Sequence, residues 1–223
     1  MTDDPGADRD ASLATAADGR VWMAWQAWRG GQADIHYAPI DDPSRAVNVS
    51  DHPADDWSPS LAFGPDGRPC IAFDTYRDGS YDVLLYRGGG GDASKRLIAV
   101  ADSTRFEARP SLAVDSRGRA WVAYEERGDN WGKDFGVHSG KPGVPLYRTS
   151  ELRARCVEGE KVYDAGDPTA LAPGVGGQMN SFARLTLDRG GRPWLLYRHR
   201  EENNWRDSTV PVAGRSGSST PPR

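Results

Sequence analysis

An internal repeat constrains this chain more than any other feature. Four segments align on a Gly-Arg pair, at Gly19-Arg20, Gly67-Arg68, Gly118-Arg119 and Gly191-Arg192, at intervals of 48, 51 and 73 residues. Six residues before each glycine stands a leucine (Leu13, Leu61, Leu112, Leu185), preceded in three copies by a serine (Ser12, Ser60, Ser111). Three residues after the glycine come Trp22, Cys70, Trp121 and Trp194, and six after it Trp25, Phe73, Tyr124 and Tyr197. An arginine follows at nine or ten (Arg29, Arg77, Arg127, Arg200) and an aspartate at fifteen or sixteen (Asp34, Asp82, Asp134, Asp207). Self-similarity at such a period marks a repeat architecture, in which each unit buries its apolar faces only against its neighbours.

Each unit reads as strands. Ser-Leu-Ala alternates, and the glycine supplies the positive φ of a hairpin turn. The run that follows, such as Trp121-Val122-Ala123-Tyr124, has the β-branched and aromatic character of a buried central strand. A third strand begins at the aspartate, and a fourth closes the first three units, as in Ala46-Val47-Asn48-Val49 and Leu97-Ile98-Ala99-Val100. Four short antiparallel strands per unit make a propeller blade. The fold class is therefore all-β, a β-propeller-type repeat of four blades, with a sandwich as the alternative that leaves the period unexplained. The expected boundaries are 1–50, 51–103, 104–180 with a long insertion, a partial blade at 181–210, and a low-complexity tail at 211–223. The excess of the third interval is assigned to a fourth strand plus a long loop after Asp134. The fourth unit lacks a fourth strand, so the expectation is an incomplete ring and a piece of a larger protein.

Composition agrees and excludes several classes. Gly 26 and Pro 16 suit many short strands and turns, and the mean hydropathy of -0.68 is lean. The formal charge of -4 is spread along the chain without a basic stripe, which argues against a nucleic-acid partner. The first residues are polar, so neither a signal peptide nor a membrane segment is expected; for a fragment this leaves the parent's compartment open, an exported parent included. Two cysteines cannot build a metal quartet, and their spacing leaves the pairing of Cys70 with Cys156 open. Cys70 stands in the tryptophan column and is expected to be a small buried hydrophobe. Gly88-Gly89-Gly90-Gly91 is a hairpin tip with no helix after it to cradle a phosphate. No cofactor is expected.

Two resemblances rest on particular residues. The Asp-x-x-Gly-Arg-x-Trp pattern at 115–121 and 188–194 resembles the Asp-box, Ser-x-Asp-x-Gly-x-x-Trp, of sialidase-type propellers, with the aspartate displaced in the first two repeats. It implies a structural turn and no activity. The segments 121–126, 130–136, 145–147 and 192–200 are similar to the amino-terminal propeller region of large exported bacterial proteins that continue into a PHP-type metal-dependent hydrolase domain. This implies a partner domain beyond the present carboxyl end. That family's metal site lies in the downstream domain, and His36, His52, His138 and His199 are isolated here, so no metal ligand is carried over.

Candidate site residues fall in three groups. Glu125 and Glu126 break the repeat after the third central strand and are the candidates for acid–base chemistry, although adjacent strand residues point to opposite faces and do not form a dyad with each other. Asn130, Trp131 and Lys133, with their counterparts Asn204 and Trp205, are placed in the loop between second and third strands, where a tryptophan among polar groups suits a sugar platform. The recurring Gly19, Gly67, Gly118, Gly191, Arg29, Arg77, Asp34, Asp82 and Asp134 are read as structural, each arginine pairing with the third-strand aspartate of its own blade, as Arg77 with Asp82. The function expected is a non-catalytic propeller module that binds a carbohydrate or protein ligand, accessory to a hydrolase domain. The alternatives are a sialidase-like glycosidase fragment and a purely structural array.

Overall fold

The computed structural model describes residues 5–50, 52–88, 96–128, 150–168, 180–201 and 204–211, with backbone alone at 96, 200, 201 and 204–211. Fifteen strands form four antiparallel sheets in chain order. Blade 1 contains β1 (Asp8–Thr15), β2 (Val21–Arg29), β3 (Gln32–Pro39) and β4 (Val47–Asn48); blade 2 contains β5 (Asp55–Phe63), β6 (Pro69–Arg77), β7 (Ser80–Arg87) and β8 (Arg96–Ala101). Blade 3 contains β9 (Phe106–Val114), β10 (Ala120–Arg127), β11 (Glu151–Glu158) and β12 (Lys161–Asp164). Blade 4 contains β13 (Asn180–Leu187), β14 (Pro193–Glu201) and β15 (Asn204–Pro211). The chain is an all-β propeller of stacked blades. No helix among the described residues is long and apolar enough to cross a membrane.

The Gly-Arg repeat marks the first hairpin of every blade. Gly19, Gly67, Gly118 and Gly191 have φ of +83°, +74°, +77° and +75°, and each donates its N–H to the carbonyl three residues back. A side chain at that φ would be strained, so glycine is required there. In blades 3 and 4 a carboxylate fills the turn. Asp115 Oδ1 accepts the Arg117 and Arg119 N–H groups and its Oδ2 accepts Trp121 Nε1; Asp188 does the same for Gly190, Arg192 and Trp194. Asp18 and Asp66 are shifted by two residues and accept the Arg20 and Arg68 N–H groups instead.

The core consists of seams between blades. Ala24, Ile35 and Val49 of blade 1 meet Leu61, Ile71 and Phe73 of blade 2. Cys70, Ala72 and Leu85 of blade 2 meet Leu112, Val122 and Tyr124 of blade 3. Trp121, Ala123, Leu152 and Cys156 of blade 3 meet Leu185, Leu195 and Tyr197 of blade 4. Alternation along β10 explains its use in two seams: Trp121 and Ala123 face forward, Val122 and Tyr124 backward. Cys70 and Cys156 are both buried and unpaired with each other, one in each of two seams.

The repeat serines stitch these seams. Ser12 Oγ accepts the N–H of Leu61, Ser60 Oγ that of Leu112, and Ser111 Oγ that of Leu185, at 3.0, 2.9 and 2.8 Å. At the two ends the stack is open. Leu61, Leu112 and Leu185 are 6–9% exposed, whereas Leu13 in the same column is 57% exposed. On the far side Ala24, Ala72 and Ala123 are fully buried, and Leu196 in their column is 46% exposed.

The third interval is divided differently from the sequence expectation. The third strand of blade 3 is β11, not a segment starting at Asp134, so the extra residues fall between the second and third strands. The charged run Glu151–Glu158 resembled a loop because Arg153 and Arg155 alternate with Leu152, Ala154 and Cys156, which are fully buried. Asp134 itself lies outside the described residues, as do the residues after Pro211.

The open seam gives a measurable asymmetry. Leu61→Ala and Leu112→Ala should each cost about 2–5 kcal/mol in urea-induced unfolding, the range for a buried leucine. Leu13→Ala should cost less than about 1 kcal/mol, as expected for an exposed position.

Candidate functional site

The first strands of the four blades, β1, β5, β9 and β13, pack against one another in succession and form the inner wall. Each is bulged at the same place. The register slips between Arg9 and Ser12, Trp57 and Ser60, and Ser181 and Arg184, and in blade 3 opposite Ala123 to Glu125. At each bulge a residue other than glycine has positive φ: Asp10 at 50°, Ser58 at 52°, Arg109 at 55° and Phe182 at 58°. Such a conformation costs about 1–3 kcal/mol per residue and persists only where its surroundings hold it. Pro59 and Pro110 follow two of these residues, at the one interior position of a strand that tolerates proline.

The bulges turn these side chains into a common cavity of about 490 Å³. It is lined by three successive positions of three inner strands and two of the fourth: Asp10, Ala11 and Ser12 from β1; Ser58, Pro59 and Ser60 from β5; Arg109, Pro110 and Ser111 from β9; Phe182 and Arg184 from β13. Phe182 is 48% exposed, and the guanidinium carbons of Arg109 and Arg198 lie 5.6 and 5.5 Å from its ring centroid.

Beneath the lining, two buried carboxylates hold the strained backbone. Asp74 Oδ1 accepts the Arg109 N–H at 3.0 Å, and Glu125 Oε1 accepts the Phe182 N–H at 2.9 Å. Both come from the second strand of the preceding blade, at equivalent positions. Glu125 is fully buried and also receives Arg127 Nη2 at 2.6 Å and Arg109 Nη1 at 3.2 Å. Asp74 has no hydrogen-bonded guanidinium among the described residues, although the charge of Arg109 acts on it. Desolvation pushes its carboxyl up to about 7, against the Arg109 N–H and the Ser58 hydroxyl, which favour the ionised form. At the seam between blades 1 and 2, burial likewise pushes Asp56 up to about 8.

The residues expected from sequence to act chemically have other surroundings. Glu125 and Glu126 lie within β10 rather than after it. Glu126 is ion-paired with Arg105 and Arg153, so both glutamates are engaged in the fold. Arg77 Nη2 lies 3.5 Å from Asp82, but Arg29 pairs with Asp8 of β1 instead of Asp34, and Arg127 pairs with Glu125. The first-strand carboxylate is closer to the end of β2 across the hairpin, while Asp34 accepts Gln32 and Asn48. Asn204 and Trp205 open strand β15 rather than occupying a loop, because they pair with Glu201 and Arg200. Asn130, Trp131 and Lys133 lie outside the described residues.

The cavity residues Asp10, Arg109, Phe182 and Arg184 escaped the sequence reading. For the first three the signal was the column three residues before the repeat leucine, where Asp10, Ser58, Arg109 and Phe182 differ from blade to blade; for Arg184 it was the departure from serine directly before the leucine.

No family model matches the chain, and no curated protein matches it. Among solved structures it is similar to a protein of unknown function from Dyadobacter fermentans (12% identity, covering 99% of this chain and 65% of that one, TM-score 0.57). It is also similar to an endo-1,4-beta-xylanase from Bacteroides thetaiotaomicron (10% identity, 91% and 70%, TM-score 0.52). A third is the GH43_1 enzyme from Xanthomonas citri complexed with xylose (15% identity, 92% and 70%, TM-score 0.51). Likeness at these identities shows the fold, a β-propeller.

The raised carboxyls make stability fall with pH. An unfolded aspartate ionises near pH 3.9, so between about pH 4 and 7 the folded protein keeps a proton on Asp74 that the unfolded chain has lost. Unfolding therefore becomes easier as pH rises through that window, and up to about 8 for Asp56. Melting temperatures should decline less from pH 5 to 9 in Asp74→Asn and Asp56→Asn than in the parent.

Proposed function

We propose that this chain is a carbohydrate-binding propeller module and that the cavity between its inner strands is the binding site. One observation carries the reading: four bulged strands spend backbone strain to bring homologous positions to a single concave surface. Strain retained at one place in every repeat points to use of that place. The cavity falls within the range of about 300–1,000 Å³ usual for small-ligand sites. Phe182 is a half-exposed aromatic ring in the lining, and the lining serines carry hydroxyl groups that can donate and accept. A pyranose asks for that combination, an apolar platform beside hydroxyl partners. The carbohydrate-active names of the xylanase and of the xylose-bound enzyme support the same ligand class.

Binding is favoured over hydrolysis by the carboxylates. Glycoside hydrolysis requires two of them flanking the bond, about 5–9.5 Å apart. Asp10 is the one carboxylate in the described lining, while Glu125 and Asp74 hold neighbouring backbone N–H groups. The similarity to propellers that precede a PHP-type hydrolase domain supports an accessory role, delivering a glycan-bearing substrate to a neighbouring catalytic unit.

Calorimetric titration with xylo-, arabino- and galacturono-oligosaccharides tests the reading. At least one class should bind without release of reducing ends. Phe182→Ala should weaken that binding at least about 10-fold, equivalent to about 1.4 kcal/mol of lost stacking. Sustained release of reducing sugar abolished by Asp10→Asn would replace the binding module with a glycosidase.

A further inference from the structure

The cavity is electrically polarised, and its polarity lies in the departures from the repeat. Three columns surround it: the bulge position, the serine position, and the second-strand position that carries Asp74 and Glu125. In blades 1 and 2 they hold Asp10, Ser12, Gln26, Ser58, Ser60 and Asp74. In blades 3 and 4 each column acquires an arginine: Arg109 at the bulge, Arg184 in place of serine, and Arg198 in place of the carboxylate. A structural repeat would place one residue type in one column. Here Arg109 and Arg184 line one cavity, and Arg109 and Arg198 lie against the ring of Phe182 in that lining.

Among the described residues, the charges of the two cavity-lining arginines, Arg109 and Arg184, are only partly engaged. Glu125 is the carboxylate bonded to Arg109, and it is shared with the buried Arg127, so the three groups together remain cationic. Arg109 uses Nη1 for that contact, with a side chain still 47% exposed. Arg184 bonds only its neighbouring Ala183 carbonyl, through Nη1, and is exposed. Both line the cavity and both are substantially exposed. A guanidinium fork matches a carboxylate in plane and in spacing, and charge-assisted bonds of this kind are about twice as strong as neutral ones.

We infer that the cavity selects an acidic saccharide, with the carboxylate of a uronic acid held by Arg109 and Arg184 beside Phe182 and the neutral part of the ring toward Ser58 and Ser60. The inference rests on the carbohydrate-binding reading above. It narrows the ligand from sugars in general to anionic ones.

Titration of the whole chain with trigalacturonate, its methyl ester and xylotriose separates the two. The ester keeps the ring and its hydroxyls, adds one methyl group per carboxyl and removes the charge. The acid should bind at least about 10-fold more tightly than the ester, the worth of one charge-assisted bond, and the ratio should shrink as salt rises from 50 to about 500 mM. Arg184→Gln should bring the acid-to-ester ratio close to one, and Arg184→Lys should restore part of it. Arg184 is exposed, so both variants should melt as the parent does. Equal binding of acid and ester, or a ratio that survives Arg184→Gln, overturns the inference and leaves the carbohydrate site standing. Binding of none of the three saccharides, with all variants folded, overturns both.

Discussion

The structure depends on one contact repeated along its axis: a side-chain oxygen of one blade accepting a backbone N–H from the inner strand of the next. Ser12, Ser60 and Ser111 do this for the repeat leucines. Asp74 and Glu125 do it for the bulged residues three positions earlier. An edge strand leaves a row of backbone groups unpaired, and a buried N–H without a partner costs about 1–3 kcal/mol. Blades cannot share a hydrogen-bond ladder because they stack face to face. The short side-chain acceptors satisfy the inner edge instead, and they fix the height of each blade against its neighbour.

The same contacts make the cavity. A bulge left to itself would relax, since positive φ is unfavourable for Arg109 and Phe182. Anchoring their N–H groups to carboxylates of the preceding blade holds the bulge in place and aims the side chains at the axis. The cost appears in the buried acids: Glu125 needs two guanidiniums beside it, and Asp74, without them, is driven toward its neutral form. Packing of the seams, strain in the inner wall and the chemistry of the cavity are thus one arrangement.

Much of this was legible in the sequence, and what was not failed for identifiable reasons. The columns of Leu, Trp or Cys, and aromatic residues gave the strands and their buried faces, because period-two alternation and turn glycines are local signals. Blade 3 was misdivided because Arg153 and Arg155 point out of a strand whose other face holds Leu152, Ala154 and Cys156; charge density hid the alternation. Glu125 and Glu126 stood out as repeat-breaking acids, but sequence could not show that arginines from three different strands and a linker would neutralise them. The cavity is carried by the variable column before each leucine, a position whose residue types share no chemistry that a sequence pattern could flag.

By itself the sequence determined the unit: four strands, a glycine turn whose φ no other residue takes cheaply, and in three of the four copies a serine before the repeat leucine. These follow from the covalent and steric properties of neighbouring residues. Tertiary structure alone decided what the inner wall encloses. Asp10, Ser58, Arg109 and Phe182 are separated by roughly fifty to seventy residues, and only stacking of bulged strands brings them to one surface. The exposure of Leu13 and Leu196 was equally invisible from their columns. Burial there depends on which blade stands next to them, and the repeat pattern carries no record of its neighbour.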